Sequence, residues 1–414
     1  MRKVIAGLDI GSKYIKLVVA EFIKGKATVL GVAYGDSLGI KKGVVTDPNA
    51  LISSLREIFS KCENMIGLKI SKVIVTTLNE ETKFLMTEGT VNIYNEEHIV
   101  KKNDILKAMR LSTENKIDKD SELVSLEPIN FILDEERALK NPLKQQAKTL
   151  TVKTLLVTVP RKNIYPIVKC LEKVGVQVVD FTLGVIGDYM ASESSLMKDN
   201  VGAIINIGSD ITSVSIFNKG ILTNTSNLYL GGSNILNDFS YIYGLTMKDA
   251  DVVRKELTFA HKNGTSASVH KDFTNKEGKK VTISEYEASE IASSRLEEIL
   301  KLAKKEINLL TKKEIHYIMI TGGVSEMPQF SMLVDEVFGH EAKILNIKEI
   351  GVRSNIYSSA LGMTKYYDEK TRSRGVDFSI WNAEETEELS NVNKKINFGE
   401  NSILGKLFGY FFDN

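Results

Sequence analysis

The sequence has few cysteines, almost no net charge and no long apolar run, and each absence excludes a class of protein. Its two cysteines, Cys62 and Cys170, lie in apolar-periodic segments, so we expect buried thiols in a reducing compartment. A formal net charge of +1 gives no basic surface for counterion release, and no nucleic-acid partner is expected. No apolar run approaches the roughly 18 residues of a membrane-spanning helix.

Metal and export signals are also absent from the sequence. The five histidines are scattered without the spacing of metal ligands. Met1 to Lys3 lead directly into a predicted strand, which leaves no room for a secretory apolar region, so we expect a cytoplasmic protein. The length of 414 residues suggests two to four domains.

A short strand, glycine turn and strand occur twice, about two hundred residues apart. The first copy is Ile5-Ala-Gly-Leu-Asp-Ile-Gly-Ser-Lys13 and the second is Ala203-Ile-Ile-Asn-Ile-Gly-Ser-Asp210. One such turn is weak evidence, because Asp and Gly are common in any hairpin. The duplication predicts two phosphate cradles that clamp a nucleotide, since backbone N–H groups of a glycine turn can approach phosphate closely. The predicted cradle residues are Gly11, Ser12 and Lys13, and Gly208, Ser209 and Asp210.

A third glycine element and one carboxylate complete the predicted site. In Ile318-Met-Ile-Thr-Gly-Gly-Val324, a predicted strand meets Gly322 and Gly323 and passes into a helix, a place where nucleotides often bind. Asp9, beside the first turn, is predicted to hold a magnesium ion through water.

The order of loop, loop and Gly-Gly turn resembles the actin, hexokinase and Hsp70 superfamily, whose members bind ATP between two related halves. Within it, residues 1 to about 367 resemble the bacterial cell-division family FtsA, notably in Gly39-Ile-Lys-Lys-Gly-Val-Val-Thr-Asp47, Leu230-Gly-Gly-Ser233 and Ile356-Tyr-Ser-Ser-Ala-Leu-Gly362. The resemblance implies an α/β, actin-like (ribonuclease-H-like) duplicated ATPase fold with an inserted small α+β subdomain.

The resemblance and the changes of sequence texture together predict the domain boundaries. Subdomain 1A comprises residues 1–82, 165–200 and 351–370, with subdomain 1C inserted at 83–164; subdomain 2A comprises 201–230 and 311–350, with subdomain 2B at 231–310. A disordered linker is expected at 371–402, because this segment has few apolar residues and an acidic run, and an amphipathic helix is expected at 403–414.

The resemblance also assigns residues to the nucleotide site. Gly231 and Gly232 join it, and the family's ribose-contacting Glu and Lys fall on Asp251 and Arg254. Asn206 occupies the usual position of a carboxylate, and Asp210 is a possible substitute for it. An amide cannot act as a general base, so we expect ATP binding with weak or absent hydrolysis, and we assign no catalytic residue. Asn206→Asp is therefore predicted to raise magnesium-dependent ATP hydrolysis without a large loss of ATP binding.

The C-terminal residues are predicted to form a membrane-binding helix. On a helical wheel of Ile403 to Asp413, the apolar and aromatic side chains lie within one half. These are Ile403, Leu404, Leu407, Phe408, Tyr410, Phe411 and Phe412. Docking of this helix on the protein's own body is the alternative interpretation.

The resemblance implies a cell-division protein at the cytoplasmic side of the membrane. It would bind ATP and Mg²⁺, assemble with itself into a filament, and bind lipid and other divisome proteins. It would also bind the C-terminal peptide of FtsZ, on residues 231–310. Two alternatives stay open at this point, a PilM-like pilus-assembly protein and a small-molecule kinase of the same superfamily. Asn206 and the apolar tail count against the kinase, and the tail counts against PilM.

Overall fold

A computed structural model describes residues 2–77, 80–374, 378–381 and 385. The chain begins with three strands, β1 (Arg2–Ile10), β2 (Tyr14–Ile23) and β3 (Lys26–Asp36), followed by a small hairpin of β4 (Ile40–Lys41) and β5 (Val44–Val45). Helix α1 (Pro48–Ile66) and strand β6 (Lys72–Thr77) come next. Asp47 caps α1 by accepting bonds from the backbone of Asn49 and Ala50, so the Asp-Pro start signal in the sequence is confirmed.

A separate four-stranded sheet lies between residues 83 and 160. It is built from β7 (Lys83–Asn92), β8 (Ser121–Leu133), β9 (Arg137–Leu139) and β10 (Thr149–Pro160) in the order β7-β10-β8-β9, with helix α2 (Lys102–Thr113) packed on it. Its own apolar cluster includes Val91, Phe131 and Val152. An independent sheet and core make this segment a distinct module inserted into the first half.

The chain then returns to the first half and crosses to the second. Helix α3 (Tyr165–Val174) ends at Gly175, whose φ of 83° suits a left-handed C-cap. Strand β11 (Gln177–Leu183) leads into α4 (Gly184–Ser192) and the short α5 (Ser195–Asp199). The first sheet therefore has the order β11-β6-β1-β2-β3.

The second half repeats this arrangement. Its sheet has the order β14-β13-β12-β17-β18, from β12 (Val201–Ile207), β13 (Thr212–Asn218), β14 (Ile221–Leu228), β17 (Tyr317–Thr321) and β18 (Ala342–Ile344). In both sheets the glycine-turn hairpin pairs antiparallel and its first strand pairs parallel with a later strand. The equivalent sheets confirm the predicted duplicated fold.

A mostly helical layer covers the second sheet. It contains α6 (Gly232–Tyr243), α7 (Met247–Glu256), a hairpin of β15 (His270–Thr274) and β16 (Lys280–Ser284), α8 (Glu285–Leu310) and α9 (Phe330–Phe338). Ser284 and Glu287 form the predicted capping box at the start of α8. Among the residues described in the structure, no helix is both long enough and apolar enough to cross a bilayer.

Two helices join the halves. Helix α10 (Ser358–Arg374) packs on β1, β2 and β6, whereas α4 packs its Tyr189 ring on Phe217 of the second half, with ring centroids 4.5 Å apart. Glycines let α4 and α10 touch backbone to backbone, since a Cβ added to Gly362 would lie 1.7 Å from the carbonyl oxygen of Gly187. Residues near this crossing are thus held close to both sheets.

The segment after α10 corrects one prediction. The sequence predicts a linker from residue 371, but α10 continues to Arg374, and Ile380 and Trp381 are buried in the core of the first half. The Ile380 N–H donates to the carbonyl of Val4 at 2.9 Å, and Trp381 Nε1 donates to the carbonyl of Lys69 at 2.7 Å. The burial of these apolar side chains and the two hydrogen bonds hold the segment on the first half, although the residues around it are mostly polar. The predicted tail helix at 403–414 lies outside the described residues.

Candidate functional site

The two glycine turns have the same geometry and face one cavity between the halves. Gly11 N–H donates to the carbonyl of Tyr14 at 3.0 Å, and Gly208 N–H donates to the carbonyl of Ile211 at 2.9 Å. The cavity has a volume of about 270 Å³. Of the predicted site residues, those that line it are Asp9, Gly11, Ser12, Lys13, Asn206, Gly208, Ser209, Asp210, Gly232, Arg254, Gly322 and Gly323. Gly231 and Asp251 do not line it.

Asp9 is held by two neighbours on the first sheet. Its carboxylate accepts a bond from Thr76 Oγ1 at 2.9 Å and pairs with Lys16 Nζ at 2.8 Å. Lys16 also lines the cavity and was missed from the sequence. Its position contained a signal, because Asp9 and Lys16 are directly opposed across the β1–β2 hairpin. The first cradle therefore carries a fixed ammonium group beside the predicted metal-side carboxylate.

The second turn is anchored on the start of helix α6. Gly232 N–H donates to the carbonyl of Gly208 at 3.0 Å, and Ser233 N–H donates to the carbonyl of Ser209 at 2.8 Å. A Cβ on Gly231 would lie 2.5 Å from the carbonyl oxygen of Gly208, so only glycine permits this approach. These contacts give Gly231 a supporting position behind the cradle instead of a place in its wall.

The Gly322-Gly323 turn closes the cavity from the second sheet. Gly322 has a φ of 97°, which disfavours any residue with a side chain. A Cβ at Gly322 would lie 2.5 Å from Asn206 Oδ1, so the turn and the second loop are in close contact. The backbone conformation therefore requires the glycine that the sequence shows at position 322.

The predicted ribose-contacting pair lies on α7, at the edge of the cavity. Asp251 pairs with Arg254 at 2.9 Å and Lys255 at 2.6 Å, and Lys13 of the first loop reaches it at 3.3 Å. Burial would raise the pKa of Asp251, but the bonds from Lys255 and Arg254 outweigh it and hold the pKa well below its usual range. Asp251 is therefore an ionised carboxylate surrounded by cations from both halves.

Asn206 has a buried partner that sequence reasoning missed. Its Nδ2 donates to Asp188 Oδ2 at 2.7 Å, and Asp188 is only 1% exposed. Burial raises the pKa of Asp188 to about 6, although its hydrogen bonds favour the ionised form. The available signal was a single acidic residue within the apolar helix α4.

This contact changes the meaning of the predicted Asn206→Asp test. The substitution would place two carboxylates at hydrogen-bonding distance, so one of them would have to take up a proton or move away. A gain of hydrolysis could then be hidden by damage to the site. Asp210, the possible substitute carboxylate, lines the cavity and accepts a bond from the Ser209 hydroxyl at 3.2 Å.

Two family models match the chain. The model described as cell division protein FtsA matches residues 203–362, and the model of the SHS2 domain inserted in FtsA matches residues 80–158. Together the two matches cover more than half of the chain. The curated cell division protein FtsA of Bacillus subtilis (strain 168) is 27% identical over 373 residues, which cover 89% of this chain and 84% of that protein.

Solved structures share the fold at low sequence identity. A chain of the PilM-PilN type IV pilus biogenesis complex has a TM-score of 0.59 and 15% identity, covering 88% of this chain and 98% of that chain. MreB5 of Spiroplasma citri bound to ADP has a TM-score of 0.55 and 12% identity, covering 90% of this chain and 98% of that chain. These likenesses confirm the actin-like fold.

Proposed function

Because this chain belongs to the FtsA family of cell-division proteins, we propose that it is an ATP-binding, actin-like division protein that polymerises on the inner face of the cytoplasmic membrane and anchors FtsZ there. The observation that carries the proposal is the match to both FtsA models, including the inserted module. Fold likeness alone would also suit a pilus-assembly protein, but it is the division-family models that match this sequence.

Nucleotide binding is supported by the chemistry of the cavity. Two glycine turns present backbone groups, and Lys13, Lys16 and Arg254 supply positive charge around the same space. Phosphate oxygens fit such a cradle because they need N–H donors and cations. MreB5 of Spiroplasma citri, which has the same fold, was solved with ADP bound. We propose ATP as the nucleotide for this chain.

The residues also fit a magnesium ion held mainly by water and phosphate. Within the described part of the chain, no three histidine, cysteine or acidic side chains come together as a ready-made metal site. Asp9 is the carboxylate next to the first cradle, and Mg²⁺ typically keeps several waters while using one or two carboxylates. Asp9 would therefore hold the ion through water and stay paired with Lys16.

Weak or absent hydrolysis follows from the amide at position 206. A carboxylate there can accept a proton from an attacking water, whereas an amide cannot. The exchange variant Asp188→Asn with Asn206→Asp moves a carboxylate onto β12 and keeps an amide–carboxylate bond. We expect it to raise magnesium-dependent ATP hydrolysis by about tenfold or more. Unchanged turnover in a folded, ATP-binding exchange variant would reject this account.

FtsZ binding is proposed for the helical layer at residues 231–310. At the end of α6, Tyr241 is 90% exposed and Ile242 is 54% exposed, and Met247 at the start of α7 is also exposed. Neighbouring exposed apolar side chains can bind an amphipathic peptide. Filament formation and contact with other divisome proteins belong to the same proposal.

Membrane attachment is proposed for residues 403–414. The apolar half of this predicted helix would lie in the lipid interface, where a single copy binds reversibly. Many copies joined in a filament would bind stably through avidity, so polymerisation and attachment would support each other.

Co-sedimentation with liposomes and ATP, with and without FtsZ, tests the proposal. We expect protein polymers on lipid that recruit FtsZ. Phe408→Glu with Phe411→Glu should abolish lipid binding, whereas Gly405→Glu with Gly409→Glu adds the same charge to the opposite face and should bind much better. Equal lipid binding by the two variants would reject the tail as the anchor. Soluble phosphorylation of a small metabolite would instead support the kinase alternative.

A further inference from the structure

Asp188 lies where three elements from both halves meet. It projects from α4, and its Oδ1 accepts hydrogen bonds from the hydroxyls of Ser358 at 2.6 Å and Ser359 at 2.8 Å, at the start of α10. Its Oδ2 accepts the bond from Asn206 on β12. The carboxylate is fully buried and is satisfied by three donors. Asp188 therefore links α4 to α10 through the two serines, and to β12 of the second half through Asn206.

The network continues from Asp188 into the nucleotide cavity. Asn206 is fixed by Asp188 on one side, and its Oδ1 lies against Gly322 on the other. Asn206 lies only two residues before Gly208 of the second cradle. A shift of the Asn206 side chain would therefore disturb the second cradle and the Gly322 turn together.

This arrangement also explains the amide at position 206. Asp188 is an acceptor at both oxygens, so the side chain opposite Oδ2 must be a donor. Asparagine has the length of aspartate and supplies that donor. An aspartate at 206 would meet Asp188 as a like charge in a buried place, which strongly disfavours two ionised groups.

We propose that Asp188 is a positioning residue of the nucleotide site, acting through Asn206, and that the two side chains work as one donor–acceptor pair. The proposal rests on the proposed nucleotide binding. Where the resemblance implies a carboxylate on the second loop's strand, this chain has the amide of Asn206, and the carboxylate bonded to that amide lies on α4. Reversing the pair should preserve the contact, whereas changing only Asn206 should destroy it.

Three variants and a control test the pair. Asn206→Asp alone should lower affinity for ATP with Mg²⁺ by about tenfold or more, and Asp188→Asn alone should lower it less, because an amide at 188 can still bond to Asn206 after rotation. The exchange variant Asp188→Asn with Asn206→Asp should recover to within about threefold of the original affinity. Asp180→Asn is the matched control.

The control removes a different, partly buried contact, between helix α10 and the first sheet. Asp180 on β11 pairs with Lys370 on α10, away from Asn206. Asp180→Asn should lower the unfolding midpoint and leave ATP affinity of the folded protein unchanged. Affinity is measured by calorimetric titration well below each variant's unfolding midpoint, so that loss of folded protein is separated from loss of binding.

The outcomes separate this proposal from the proposed function. Wild-type affinity in folded Asn206→Asp, or an exchange variant no better than the worse single variant, overturns the pair. Failure of the unaltered protein to bind ATP overturns the proposed function instead. The pair is then tested by a double-mutant cycle on the free energy of unfolding, where recovery in the exchange variant supports the coupling and simple additivity rejects it.

Discussion

Trp381→Ala should detach the segment that follows α10 from the first half. The side chain is 3% exposed, and its ring nitrogen donates to the Lys69 carbonyl. Truncating a buried tryptophan typically costs about 3–5 kcal/mol. The loss includes the apolar contact and leaves a carbonyl without its donor. The measured loss is limited by the free energy that docks residues 378–381, because the segment can open locally.

Trp381→Phe is the matched control for this prediction. It keeps an aromatic ring in the core and removes chiefly the hydrogen bond, so we expect a loss of about 1 kcal/mol. Urea-induced unfolding followed by circular dichroism gives the two free energies. The chain contains one tryptophan, so emission from the unaltered protein reports directly on this site.

We expect blue-shifted emission from Trp381 that iodide quenches poorly, and a shift to the red on unfolding. If Trp381→Ala unfolds within 0.5 kcal/mol of the original protein, on the scale of ordinary surface substitutions, the docked segment contributes no stability. Emission that is quenched as easily as that of free tryptophan would refute the burial itself.

Other predictions follow from the site. Relative to Asp188→Asn, the original protein should be more stable at pH 5 than at pH 7.5 by about 1 kcal/mol. Burial raises the pKa of Asp188 from 3.8 to about 6, which stabilises the fold at low pH, and that gain is lost as pH rises through 6. Equal pH dependence of the two proteins in urea titrations would contradict this. Gly322→Ala should lower the free energy of unfolding by about 2 kcal/mol, because Gly322 has a positive φ and an added Cβ would make a close contact. Gly323→Ala should cost much less, because a Cβ there would make only an ordinary contact at 3.5 Å. Similar unfolding midpoints for the two variants would refute the claim of backbone strain at Gly322. Lys16→Met should weaken ATP binding by about tenfold, as measured by calorimetry. Lys24 lies in a distant exposed turn, so Lys24→Met should leave ATP binding unchanged.

The repeated turns and helix caps could be predicted because their signals are local. A glycine between alternating apolar strands specifies a tight turn, and Ser284 with Glu287 specifies a helix start within four residues. The duplicated loops also gave the fold class, since the equivalent sheets grow from the same hairpins. Local chemistry and fold agree in these segments.

The contacts of Asp188 and Trp381 could not be predicted, because they join residues far apart in the chain. Asp188 meets Ser358 only after both halves have folded, and nothing near either residue indicates the other. Trp381 lies in a segment whose average composition is polar, and the three apolar side chains of that segment are too few to change this average. In both cases folding buries a side chain that the local sequence does not place in the interior.

The glycine contact between α4 and α10 has a mechanical consequence. No side chains interdigitate where Gly187 meets Gly362, so the two backbones cannot move apart there without opening a void. Any turning about that point has to keep or break the bonds from the Ser358 and Ser359 hydroxyls to Asp188, and displacement then grows in proportion to distance from it. A small angular change set at the cavity would be least at Asp188 and greatest at the outer ends of the inserted module and the helical layer. The crossing would act as a pivot, with the inserted module and the helical layer as the parts that move furthest.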